Sequence, residues 1–182
     1  MNEYLFGCIG VGSLSEEIGS SMALRASHLG WDVTDQCFRT DYHLWVLRPA
    51  GQIGFQRISS SEERLLAWNG HIVSPDLPLW PSTDTLLANL ANAPLTKLSV
   101  WDGLFSLALF DEAERKLLLA ADPFGMQPLY FARCGKGLMF SSSVDLILRS
   151  FPGRVTLNLT AAAEYLHFHY CLGDKTLANE VE

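Results

Sequence analysis

WDGLFSLALFDEAERKLLLAADPFG, residues 101–125, constrains the architecture more tightly than any other stretch of the chain. Two apolar runs, FSLALF and LLLAA, flank a polar DEAERK segment, which predicts a β-hairpin. Neither run alternates apolar with polar residues, as a sheet with one face in water would. Both faces of these strands must therefore be covered. A second sheet on one side and helices on the other would do this. The predicted fold class is α+β, a four-layer αββα sandwich of two antiparallel sheets. Asp122-Pro-Phe-Gly125 follows as a turn, with aspartate capping it and glycine free to take a positive φ.

The same reading extends in both directions. Residues 4–10 predict a strand, and Ser13-Leu-Ser-Glu16 has the spacing of a capping box ahead of a helix with Ile18, Met22 and Leu29 on its apolar stripe. From Val33 to Asn69 short apolar runs alternate with turn residues such as Arg48-Pro-Ala-Gly51, which predicts antiparallel strands. The proline-rich stretch 74–84 is a loop, ending where Ser82 or Thr83 can cap a helix that buries Leu86, Leu87 and Leu90. PLYFARC and GLMFSSS predict strands joined by a turn at Cys134-Gly-Lys-Gly137. VDLILRS predicts a short helix, and a last helix starts near Thr160.

At 182 residues one domain with a well-buried core is the default. The net charge of −7 excludes a surface built for nucleic acid, since phosphates require clustered cations. No apolar run approaches the ~20 residues of a membrane span. No signal-peptide pattern opens the sequence, so a cytoplasmic location is expected. Cys8, Cys37, Cys134 and Cys171 lie far apart without CxxC pairing, and the histidines are dispersed, so neither a disulfide nor a metal site is expected.

Several motifs stand in a telling order. His28-Leu-Gly-Trp-Asp32, Ile53-Gly-Phe-Gln-Arg57-Ile-Ser59 and Asn69-Gly70-His71-Ile72 come first. DGLFSLALFDEAERKLLLAADPFGMQPLYF, GLMFSSSVDLIL and Gly173-Asp-Lys-Thr176 follow. Together they resemble the N-terminal glutaminase domain of asparagine synthetases, a class II glutamine amidotransferase with an N-terminal-nucleophile (Ntn) fold, over nearly the whole chain. The matching family strings are HRGPD, GHRRLS, NGEIYN, GxFAFAL-D with DRxGxKPLYY, GxLxFASExKAL and GDxTI.

The resemblance implies a set of site residues. In the family an N-terminal cysteine thiolate attacks the glutamine amide and its own α-amino group is the base. The NG pair forms the oxyanion hole, and an arginine grips the substrate carboxylate. Carried over residue by residue, Asn69 and Gly70 match the oxyanion pair and Arg57 the carboxylate-binding arginine. His71 replaces the glutamate that binds the substrate amino group, and the later aspartate aligns with Ser82 or, if shifted, Asp84. The nucleophile fits worst. The best superposition puts Gly7 in its place, and Cys8 can act only if residues 1–7 are removed to expose its amine. Otherwise Cys8 is a buried strand residue. Asn69-Gly70 also has a purely structural reading, since it is a strong hairpin-turn signal.

A site of this kind is similar to those of β-lactam synthetases and lasso-peptide cyclases, asparagine-synthetase relatives that lack the cysteine. The resemblance therefore implies a domain of an asparagine-synthetase-like, ATP-dependent amide-forming protein, inactive as a glutaminase on its own and serving as scaffold for an adenylating domain. The alternative is an active amidotransferase that releases ammonia from glutamine. The expected layout is an amidotransferase-like domain over 1–155 and a helix and segment over 156–182 leading toward a synthetase domain. That absent domain is the expected partner, and it would hold ATP and Mg. No phosphate-cradling loop occurs here, so no cofactor is expected in this domain. Glutamine is a ligand only on the active reading, no nucleic-acid or membrane partner is expected, and a homodimer is left open.

Overall fold

The computed structural model describes residues 3–12, 14–39, 42–51, 56–61 and 63–182. Nine strands and five helices follow the order β1 (Tyr4–Ile9), α1 (Leu14–His28), β2 (Trp31–Phe38), β3 (Tyr42–Pro49), β4 (Ile58–Ser60), β5 (Arg64–Val73), α2 (Thr83–Asn89), α3 (Pro94–Leu98), β6 (Asp102–Asp111), β7 (Lys116–Ala121), β8 (Tyr130–Cys134), β9 (Gly137–Ser141), α4 (Val144–Ser150) and α5 (Leu159–Phe168) among the described residues. The strands form a five-stranded sheet, β2-β3-β1-β9-β8, and a four-stranded sheet, β4-β5-β6-β7. Every pairing between named strands is antiparallel.

The expected αββα sandwich is the observed architecture, and the side-chain alternation of the strands builds it. On β1, Phe6 and Cys8 enter a core layer with Ile18, Met22 and Ala26 of α1 and Leu146 of α4. Leu5, in the other alternating set, packs into the layer between the sheets with Val46, Leu65, Ala67 and Phe110. On β5 and β6, Leu66, Trp68, Leu107 and Leu109 turn the other way, onto Leu86, Leu87 and Leu90 of the α2 region. The strands thus keep period two while burying apolar residues on both faces. The predicted hairpin pairs Ser106 with Ala121 through Asp111 with Lys116.

Three sequence-based expectations change. Leu29 lies past the end of α1 and is half exposed, and the helix stripe is Ile18, Met22 and Ala26 at four-residue spacing. Arg48 is a buried residue of β3 rather than part of a turn. Asn69-Gly70 lies inside β5, opposite Ser106 and Phe105, and makes no hairpin turn. Ser13 of the capping box and Ile53 to Phe55 of the second motif lie outside the described residues.

Local signals elsewhere are met. Ser82 is the N-cap of α2, its Oγ accepting from Thr85 N. Asp122 accepts from the backbone N–H groups of Phe124, Met126 and Gln127, and Gly125 takes φ 63°. The segment after α5 returns to the domain. Ala178 and Val181 are buried against Ala132 and Ile147, and Glu182 exchanges two backbone hydrogen bonds with Phe131. No described helix is long and apolar enough to cross a membrane.

Candidate functional site

A buried charge needs a partner, and Glu3 has two. It stands just ahead of β1, 5% exposed, its Oε1 accepting from Arg48 Nε at 2.7 Å and its Oε2 from Arg57 Nε at 2.8 Å. Asp35 extends the chain, accepting from Arg57 N at 2.9 Å and lying 3.7 Å from Arg48 Nη2. Among the described residues two cations and two anions alternate in this cluster. Arg57 also lies over the Trp68 ring, its Cζ 4.1 Å from the centroid, a cation–π contact. Burial pulls the Arg57 guanidinium below its ordinary pKa, and Glu3 opposes that shift.

Glu3 and Arg57 of this cluster line a cavity of about 720 Å³. Gly70 and His71 of β5 form one wall with Leu104, and Trp80, Ser82, Thr83 and Asp84 form the rim ahead of and within α2. The His71 and Trp80 rings pack with centroids 4.7 Å apart. Trp68 Nε1 donates to Thr83 Oγ1 at 3.0 Å, tying β5 to α2, and the Ser59 hydroxyl donates to the Asp84 carboxylate. Gly70 takes φ 88°, and a Cβ there would lie 2.0 Å from the Leu104 carbonyl oxygen, so only glycine permits this close approach of β5 and β6.

Of the residues singled out from the sequence, Arg57, Gly70, His71, Ser82 and Asp84 line this one cavity. Asn69 is adjacent but fully buried, and its amide is occupied. Its Nδ2 donates to Glu3 O at 3.0 Å and Ser142 Oγ at 3.2 Å, while its Oδ1 accepts from Ser106 N and Oγ. Cys8 lies elsewhere. It is five residues along β1 from Glu3, about 17 Å of extended strand, with its side chain in the α1 layer. Burial pushes its thiol pKa up to about 12. The other alignment fares no better, because a Cβ at Gly7 would meet the Phe140 ring at 2.3 Å and Leu44 Cδ2 at 2.5 Å.

Sequence reasoning missed Glu3, Trp68 and Trp80 as site residues. Two arginines, Arg48 and Arg57, each set beside apolar residues, were the available signal that a buried acid should be sought. Among the described residues no group of three or more His, Cys, Asp or Glu side chains is placed to hold a metal ion.

Comparisons with known proteins agree on the fold. Two solved structures are similar over 81% of this chain. One is a glutamine phosphoribosylpyrophosphate amidotransferase from B. subtilis complexed with ADP and GMP, at 14% identity and a TM-score of 0.53. The other is described as the allosteric regulatory enzyme of purine biosynthesis, at 13% identity and a TM-score of 0.55. The match spans 43% of each of those chains. No curated protein matches the sequence. The model of the glutamine amidotransferase domain family matches residues 81–182, a stretch that contains Ser82 and Asp84 and begins after Cys8, Arg57, Asn69, Gly70 and His71. With more than half of its length matched by this model and its fold shared with those solved structures, the chain belongs to the glutamine amidotransferase domain family.

Proposed function

We propose that this chain is the glutaminase-like domain of an asparagine-synthetase-like, ATP-dependent amide-forming protein, that it does not hydrolyse glutamine, and that it is the scaffold on which an adenylating synthetase domain docks. The observation that carries this reading is the Glu3–Arg57 pair. A guanidinium that should grip the carboxylate of glutamine already holds an internal carboxylate, buried and shared with Arg48. Glu3 already balances the Arg57 charge through Nε, so an incoming substrate carboxylate would place a second anion beside a buried acid, which weakens its binding.

Two further observations support it. Exposing Cys8 as an N-terminus would delete Tyr4 to Gly7 and leave only Cys8 and Ile9 of β1, a strand paired on both sides within its sheet. That deletion removes Leu5 and Phe6, both fully buried. Asn69, the other half of the expected oxyanion hole, directs its N–H donors to Glu3 and Ser142. The branch and the partner rest on the ordered motifs from His28 to Thr176. An apolar face on α5 suits docking, where Leu159 and Leu166, seven residues apart, are 76% and 81% exposed. A cytoplasmic location belongs to the same reading.

The test is the intact mass of the purified chain after incubation with a glutamine-analogue electrophile, paired with an assay of ammonia release from glutamine. The expected result is a chain that still carries residues 1–7, takes no adduct at Cys8 and releases no more ammonia than its Cys8→Ala variant. A chain beginning at Cys8, singly modified there and releasing ammonia, would overturn the proposal in favour of a working amidotransferase.

A further inference from the structure

A second cavity, of about 530 Å³, opens at the opposite end of β1 from Glu3, between β7 and β8, the edge strands of the two sheets. Strand periodicity builds its walls. Leu117 and Leu119 share one face of β7, and Phe131 and Arg133 share one face of β8. Ile9, Leu117, Leu119 and Phe131 are half-buried and pack against the core between the sheets, so the cavity is a side entrance to that core. At its end Gly10 and Gly137 meet backbone to backbone. A Cβ on Gly137 would lie 2.4 Å from the Ile9 carbonyl oxygen.

Charge at the mouth runs against the rest of the molecule. The chain carries 20 acidic and 13 basic residues. Yet Arg115 from the β6–β7 turn, Arg133 from β8 and Lys136 from the β8–β9 turn all line this cavity, and none of the lining residues is an acid. Arg133 and Lys136, both exposed and from two segments, stand beside an apolar interior and focus a positive potential on one opening.

We propose that this cavity is a binding site for an amphipathic anion, whose apolar body lies against Phe131, Leu117 and Leu119 and whose acidic head meets Arg133 and Lys136. The shared chemistry is a carboxylate or phosphate head on an apolar chain. The proposal is independent of the Glu3–Arg57 cavity, whose residues play no part in it.

The test uses decanoate, decyl phosphate and the uncharged decanol, titrated by calorimetry into the purified chain. Saturable binding of one decanoate or decyl phosphate per chain is expected, with the tighter of the two assigning the head group. Decanol should bind at least about tenfold more weakly, as should decanoate to the Arg133→Glu/Lys136→Glu double variant, which alters only exposed side chains. Arg149→Glu, a charge reversal on α4, should leave binding unchanged. Equal binding of decanol, equal binding by the double variant, an equal loss in Arg149→Glu, or no saturable binding of either anion up to about 1 mM would each overturn the assignment.

Discussion

Glu3 and Arg57 meet through a buried hydrogen-bonded ion pair, Oε2 to Nε at 2.8 Å, although 54 residues separate them in the chain. The contact ties the start of β1, in one sheet, to the segment entering β4, in the other. It also balances the Arg57 charge through Nε before any ligand arrives. A site that resembles a glutamine pocket in residue types therefore differs from one in its electrostatics.

Removing Glu3 should be costly for that reason. Glu3→Ala leaves Arg48 and Arg57 buried with Asp35 as the remaining carboxylate described in the cluster. Breaking one side of a buried pair costs about 3–5 kcal/mol. Urea unfolding of the variant should show a loss of that order. A loss below about 1 kcal/mol would mean that the pair behaves as if solvent-exposed.

Cys8 should be chemically silent. With the thiol pushed up to about 12 by burial, almost none is thiolate at neutral pH. Cys37 and Cys171, both partly exposed, should alkylate first with iodoacetamide, and Cys8 and Cys134 only after denaturant is added. Peptide mapping by mass reads the order. Alkylation of Cys8 in the native chain at the rate of Cys171 would contradict the burial described here.

What the sequence made legible was local or periodic. The 101–125 hairpin, the Ser82 cap and the Asp122 turn depend on residues within a few positions of each other, and all are found. The double-sided burial of the strands was readable because apolar residues occupy both alternating sets. The five-residue α3 and three-residue β4 are too short to carry a period and escaped notice. Glu3 escaped for a different reason. Its partners lie 45 and 54 residues away, and a lone acid before an apolar strand looks like a solvated one. Likewise Asn69-Gly70 has the composition of a turn, and only its pairing with β6 places it mid-strand.

Asp122 should make stability depend on acid pH. Burial alone would raise its pKa, but the N–H groups of Gln127, Met126 and Phe124 outweigh that and hold it below the ordinary aspartate value. A depressed folded-state pKa means that the stabilisation is complete above the unfolded value of about 4. It is lost as pH falls through the folded value. Asp122→Asn should therefore be less stable than the parent at pH 7, by about 1–3 kcal/mol, and the gap should close in acid. Unfolding free energies measured across that range test the sign, and a gap that widens on acidification would refute it.

Two glycines with similar positive φ should respond very differently to alanine. Gly30 takes φ 76° with no atom near its missing Cβ, so Gly30→Ala carries only the left-handed backbone penalty of about 1–2 kcal/mol. Gly70 takes φ 88°, and its Cβ would sit 2.0 Å from the Leu104 carbonyl oxygen, in a pairing that continues from Arg64 to Val73. Backbone cannot yield there without pulling β5 from β6 beside the cavity. Gly70→Ala should therefore cost more than about 4 kcal/mol. Thermal unfolding of the two variants side by side separates the contributions, since φ is nearly shared and the steric contact is not. Equal losses would show that β5 and β6 are not held as closely at Gly70 as this contact requires.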